Sequence, residues 1–184
     1  MDIIPVIIYE HFKKPDHMQE EFACIGLTNP KSASNLGSVL RAAGCFGADE
    51  VWYHGNRIEY AKKYATDTQL AAERVALVKV ESFIEQKPID VKLVCVELTV
   101  GATPLAEFTH PEKALYVFGP EDGSISQEVV SKADAVVYIP THDCLNLAAT
   151  ANIVLYDRAT KRNLVSRSDE QIIDSRDRNN VTKI

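Results

Sequence analysis

Phe22-Ala-Cys-Ile-Gly-Leu27, followed by Thr28-Asn29-Pro30 and then by Ser34-Asn-Leu-Gly-Ser-Val-Leu-Arg-Ala-Ala43, decides the fold class of this chain. The first run is apolar, short and stopped by an Asn-Pro turn, the mark of a buried strand. In the second, Leu36, Val39, Leu40 and Ala43 recur at i, i+3, i+4 and i+7, the mark of a helix with one apolar face. Ser34 or Asn35 is placed to cap that helix, and Gly44 and Gly47 to end it. A buried strand leading through a turn into an amphipathic helix is the repeating unit of an α/β sheet.

The same unit recurs outward from this point. Strands are expected at 2–9, Val51-Trp-Tyr53, Val75–Val80, Val91–Val96, Ala114–Phe118 and Ala135–Ile139. Helices are expected in parts of 57–73, at Ser82–Gln86, at Ser126–Lys132 and from Leu145 to about Lys161. Residues 10–20 and Thr99–Pro111 are expected to be loops. Continuous apolar strands alternating with helices imply a mostly parallel sheet with helices on both faces. With 184 residues, one domain over 1–162 is expected, followed by a polar, partly ordered tail over 163–184 that shows no periodicity.

Bulk chemistry narrows the function. No run of about 18 apolar residues exists, so no membrane partner is expected. The apolar start lacks a basic leader and a cleavage site, and is read as strand rather than signal. The four cysteines, Cys24, Cys45, Cys95 and Cys144, have no C-x-x-C spacing and suit reduced thiols in a cytoplasmic protein. The five histidines are isolated, and each is read as a surface residue; no metal site is expected. The net charge of −6 weighs against a broad nucleic-acid surface. From Arg158 onward seven basic residues oppose four acidic ones, a net +3 that leaves −9 elsewhere and allows only a local basic patch. Neither G-x-G-x-x-G nor a P-loop occurs, which disfavours dinucleotide and P-loop chemistry, and no G-x-S-x-G elbow is present.

Three segments carry polar groups to strand ends, where open α/β sheets bind ligands. In Asn35-Leu-Gly-Ser-Val-Leu-Arg41, the ordinary reading is a capped helix with a solvated Arg; the functional one places Asn35 at the ligand edge and Arg41 about 1.7 turns on, across the helix axis. In Phe118-Gly-Pro-Glu-Asp-Gly123, a turn explains the Gly and Pro residues but not the acid between them. Glu121 is open to pairing with an Arg or to receiving ribose hydroxyls. In Ile139-Pro140 through Leu147, Asn146 opens an apolar, small-residue helix, as an ordinary cap or as the anchor of a neighbouring loop.

Taken jointly, these segments resemble the N-x-G-x-x-x-R, F-G-x-E-x-x-G and I-P-…-S-L-N-V motifs of the SpoU/TrmH family of RNA methyltransferases, in the SPOUT superfamily. The second motif has its last glycine one position early, and Cys144 stands where the family has Ser. The resemblance implies a C-terminal deep trefoil knot holding S-adenosylmethionine through backbone groups around Leu98, Gly119, Ile139, Cys144 and Leu147. It implies a catalytic set of Asn35, Arg41, Glu121 and Asn146, and a homodimer in which Arg41 of one subunit completes the other's site. The implied reaction is ribose 2′-O-methylation of RNA, with tRNA favoured over rRNA and DNA excluded. The alternative is a non-catalytic RNA-binding scaffold that keeps the knotted fold.

Overall fold

The computed structural model describes residues 20–62, 75–165 and 168–184. The strand expected over 2–9, all but the last residue of the loop over 10–20, and residues 63–73 of the mixed region over 57–73 lie outside them. In chain order the elements are β1 (Phe22–Thr28), α1 (Ala33–Phe46), β2 (Glu50–His54), α2 (Arg57–Lys62), β3 (Ala76–Lys79), α3 (Phe83–Gln86) and β4 (Lys92–Val96). There follow β5 (Thr103–Pro104), a 3₁₀ turn (Leu105–Glu107), β6 (Lys113–Phe118), α4 (Gln127–Ser131), β7 (Ala135–Tyr138), α5 (Leu147–Lys161) and α6 (Asp169–Ser175).

The seven strands form one sheet in the order β3-β2-β1-β6-β4-β7-β5, with every pairing parallel. Alternation along each strand separates two cores. Ile25, Leu27, Val94, Val96, Tyr116 and Phe118 point to one face, where Leu36, Val39 and Leu40 of α1 and Ala151, Val154 and Leu155 of α5 cover them. Cys24, Leu93, Cys95, Leu115 and Val117 point to the other, against Phe83 of α3 and Val129 and Val130 beside it. Each fully buried aliphatic side chain contributes about 1.5–3 kcal/mol, so the strands are held by burial on both faces rather than by propensity.

Several local expectations change. Ser32, not Ser34 or Asn35, caps α1: its Oγ accepts the Asn35 backbone N–H at 3.2 Å. Gly44 lies inside α1, and Gly47, at φ 69°, ends it in the left-handed region that glycine tolerates. The expected loop over 99–111 contains the two-residue β5, which pairs with β7 at the sheet edge. The tail contains α6, whose N-cap is Ser168 with Gln171 three residues later, a capping-box spacing that outweighs the lack of periodicity.

Histidine and arginine placement also departs from expectation. His110 is only 2% exposed, not a surface residue. Its Nδ1 lies 2.7 Å from the Tyr116 hydroxyl and its Nε2 2.8 Å from Asp157. Asp157 can only accept there, so Nε2 carries the proton and Nδ1 accepts from Tyr116. Burial lowers the His110 pKa, although Asp157 opposes the shift. Arg158 is 4% exposed and donates to Glu21 and to the Phe22 and Glu112 carbonyls; Arg162 also grips Glu21. Lys161 donates to three carbonyls and pairs with Asp157. Three of the seven cations counted toward a C-terminal basic patch are therefore structural.

Candidate ligand cleft at the strand ends

The strand order places the C-terminal ends of β1, β6, β4 and β7 side by side. The segments leaving those ends converge. Glu121, in the turn after β6, accepts the backbone N–H of Lys31 at 3.0 Å and of Ser32 at 3.1 Å. Its Oε1 also accepts Asn35 Nδ2 at 3.0 Å. Asn35 Oδ1 in turn accepts Asn146 Nδ2 at 3.0 Å. Asn146 caps α5, its Oδ1 accepting the Ala148 and Ala149 N–H groups at 2.8 and 3.3 Å. Residues up to 111 positions apart are thus joined in one chain of hydrogen bonds.

Chemistry fixes the polarity of this chain. Glu121 can only accept, and the α5 backbone N–H groups can only donate. Both amides are therefore forced into one orientation: NH₂ toward Glu121 for Asn35, and NH₂ toward Asn35 for Asn146. Burial raises the Glu121 pKa, but the Asn35 amide and the Lys31 and Ser32 N–H groups outweigh it and hold the carboxyl below its ordinary value. Glu121 pairs with no arginine among the described residues. Asp122 pairs with one: Arg57 grips it with both nitrogens at 2.9 Å and Lys31 reaches it at 3.2 Å. Asp122 is held down at about 2, chiefly by the hydrogen bond from Arg57.

Behind this chain lies a cleft of about 200 Å³. All five positions marked for a cofactor, Leu98, Gly119, Ile139, Cys144 and Leu147, line it. Glu121 lines it as well, while Asn35 and Asn146 stand at its edge, holding the loops. Arg41 does not line it. Arg41 is exposed on α1 and makes no hydrogen bond or ion pair with any described residue. Close approach is needed at Gly119, where a Cβ would lie 3.2 Å from Ile125 N and 3.3 Å from the Glu97 carboxylate.

Glu97, absent from the motif-derived set, also lines the cleft. The available signal was an acid set directly after the buried Val91–Val96 run, beside Leu98. Lys31 was likewise missed, because a lysine in a turn carries no pattern of its own.

A family model described as the SpoU rRNA Methylase family matches residues 23–156. Comparison with curated protein sequences gave no significant match. Among solved structures, the AdoMet-bound rRNA methyltransferase from Sinorhizobium meliloti is 26% identical with a TM-score of 0.65, over 82% of this chain and 59% of that one. The SpoU methyltransferase AviRb from Streptomyces viridochromogenes, in complex with AdoMet, is 23% identical with a TM-score of 0.67, over 79% and 62%. A structure described as giving insights into the 2-OH methylation of C/U34 on tRNA is 21% identical with a TM-score of 0.63, over 78% and 98%. The chain thus spans about 60% of the length of the first two.

Proposed function

Because this chain belongs to the SpoU rRNA methylase family, we propose that it transfers a methyl group from S-adenosylmethionine to a ribose 2′-hydroxyl of an RNA, with tRNA as the favoured substrate. The observation that carries this reading is the hydrogen-bonded chain Glu121–Asn35–Asn146, which joins all three motif segments at the rim of one cleft. The cofactor residues fit the group: Gly119 leaves room for close backbone approach, and Leu98, Ile139 and Leu147 offer an apolar wall with backbone polar groups at strand ends. The membership also supports a trefoil knot in the C-terminal part, consistent with β6 lying between β1 and β4 rather than in chain order.

When bound, S-adenosylmethionine supplies an electrophilic methyl on sulfur. The protein's share is then positioning, which accounts for about 7–11 kcal/mol of barrier in favourable systems. Asn35, Glu121 and Asn146 are positioning residues: their polar atoms are spent on one another and on the backbone of Lys31, Ser32, Ala148 and Ala149. They lock the three loops that wall the cleft. Arg41 acts on the RNA. A guanidinium is a fork of donors with no acceptor, so Arg41 serves as a phosphate clamp and stabiliser of developing alkoxide charge rather than as a base.

Arg41 reaches a cleft through a second copy of the chain. The same helix carries Phe46, which meets Tyr156 of α5 edge-on at 6.2 Å, and Tyr156 and Ile153 are exposed beside it. That apolar face on α1 and α5 supports a homodimer in which Arg41 of one subunit completes the other's cleft. The test is incubation with radiolabelled S-adenosylmethionine and total RNA, followed by digestion to nucleosides. Label in 2′-O-methylnucleosides of the tRNA fraction is expected. Measurable cofactor binding with no labelled nucleoside would overturn the enzyme reading in favour of a binding scaffold.

A further inference from the structure

Two carboxylates border the cleft, and they differ in what they have left to offer. Glu121 accepts three N–H donors, two on Oε1 and one on Oε2, so only Oε2 keeps a site. Glu97 keeps more. It follows the last residue of β4 and is half-buried in the cleft wall. Its Oε2 accepts the Ile125 N–H at 2.9 Å and its Oε1 the Leu98 N–H at 3.0 Å. An ionised carboxylate has about four acceptor sites, so each oxygen keeps one. No cation among the described residues pairs with it. The carboxylate also overhangs Gly119, with Oε2 3.3 Å from where a Cβ would stand. Glu97, Leu98 and Gly119 therefore enclose one spot in the cleft.

Resting on the reading of this cleft as the cofactor site, the geometry points to Glu97 as the residue that recognises the ribose diol of the cofactor's nucleoside. Two oxygens on one rigidly held group match two adjacent hydroxyl donors, and an acid at a strand end receiving ribose hydroxyls is a recurring device of open α/β sheets. The Ile125 and Leu98 N–H groups fix the carboxylate plane and offset part of its charge. What remains is acceptor capacity. The diol role that the sequence left open for Glu121 falls instead to the acid that keeps a free site on both oxygens.

The test is calorimetric binding of S-adenosylmethionine, S-adenosylhomocysteine and 2′,3′-dideoxy-S-adenosylhomocysteine to the full chain and to Glu97→Gln. Gln keeps a carbonyl for the Ile125 N–H, and the dideoxy ligand probes the wild-type chain without any substitution. Glu97→Gln is expected to weaken S-adenosylmethionine and S-adenosylhomocysteine equally, by about 10- to 100-fold, as for hydrogen bonds to a charged group. Removing the diol should cost the wild-type chain a similar factor and cost Glu97→Gln little more. A loss confined to S-adenosylmethionine would show that Glu97 reads the sulfonium charge and overturn the inference. So would unchanged affinities in Glu97→Gln, or independent, fully additive losses, with the wild-type chain binding normally. A wild-type chain that bound none of the three ligands would instead overturn the cofactor reading of the cleft, and this inference with it.

Discussion

Asn35→Asp is isosteric, yet it reverses the side-chain hydrogen bond between α1 and the turn after β6. In the wild-type chain an N–H bridges Asn35 and Glu121 at 3.0 Å. In the variant two carboxylate oxygens face each other there, while the other Asp oxygen still accepts from Asn146 Nδ2. The lost bond to a charged acceptor costs about 1.5–3 kcal/mol. Like charges at that separation add up to several kcal/mol at a surface-like dielectric, part of which side-chain rotation relieves. A net loss of about 2–4 kcal/mol near neutral pH follows. The loss depends on pH in a definite direction. Two carboxylates sharing a site raise one folded-state pKa above its unfolded value. The shared proton restores a bond, so stability is present at low pH and lost as pH rises through that raised pKa. Urea unfolding of wild type and variant in parallel at about pH 7.5 and about pH 5 measures it. The deficit should shrink at the lower pH. A deficit under about 0.5 kcal/mol at both values, or one equal at both, would refute the assigned polarity of the chain.

Other outcomes follow from the same structure. Arg41→Lys keeps the charge but loses the planar fork; methyl transfer to RNA should fall about 10-fold or more with cofactor affinity unchanged, and full activity would contradict the clamp role. Cys144 is exposed in the cleft wall, and a thiol is a weak donor, so Cys144→Ser should preserve or raise methyl transfer; a large loss in a turnover assay would give the thiol its own role. His110 resists protonation chiefly because it is buried, so its folded pKa lies below the unfolded value of about 6.5. Below that value the unfolded chain takes up a proton the folded chain does not, and stability falls as pH drops from about 7 to about 5.5. Unfolding free energies of His110→Gln should show a flatter profile over that window; an identical slope would refute the assignment.

Some of this was legible in residues alone because its causes are local. The apolar run at 22–27, the i, i+3, i+4 spacing in α1 and the Ser126 cap each depend on neighbours within one or two turns. Placement of the site at strand ends followed from the α/β pattern and from the three motifs together. Where reading failed, the deciding partner was remote. Nothing near His110 in sequence announces that Asp157 will close on it from α5. Arg158 and Arg162 look like surface cations until Glu21 is brought against them across the sheet. Ser32 outcompeted Ser34 as the cap because Glu121 holds the Lys31 and Ser32 N–H groups and so fixes where the helix begins.

The sequence by itself determined the alternation of strands and helices, the motif positions and the family. The alternation rests on hydrophobic periodicity and turn chemistry, which act over a few residues, and the family on the resemblance carried by the three motifs together. Only the tertiary structure decided the strand order, the direction of the Glu121–Asn35–Asn146 chain, and which acid in the cleft keeps a free site on both oxygens. The physical reason is that a carboxylate's chemistry is set by how many donors already occupy it, and every donor that distinguishes Glu121 from Glu97, apart from the Leu98 N–H, arrives from a distant part of the chain.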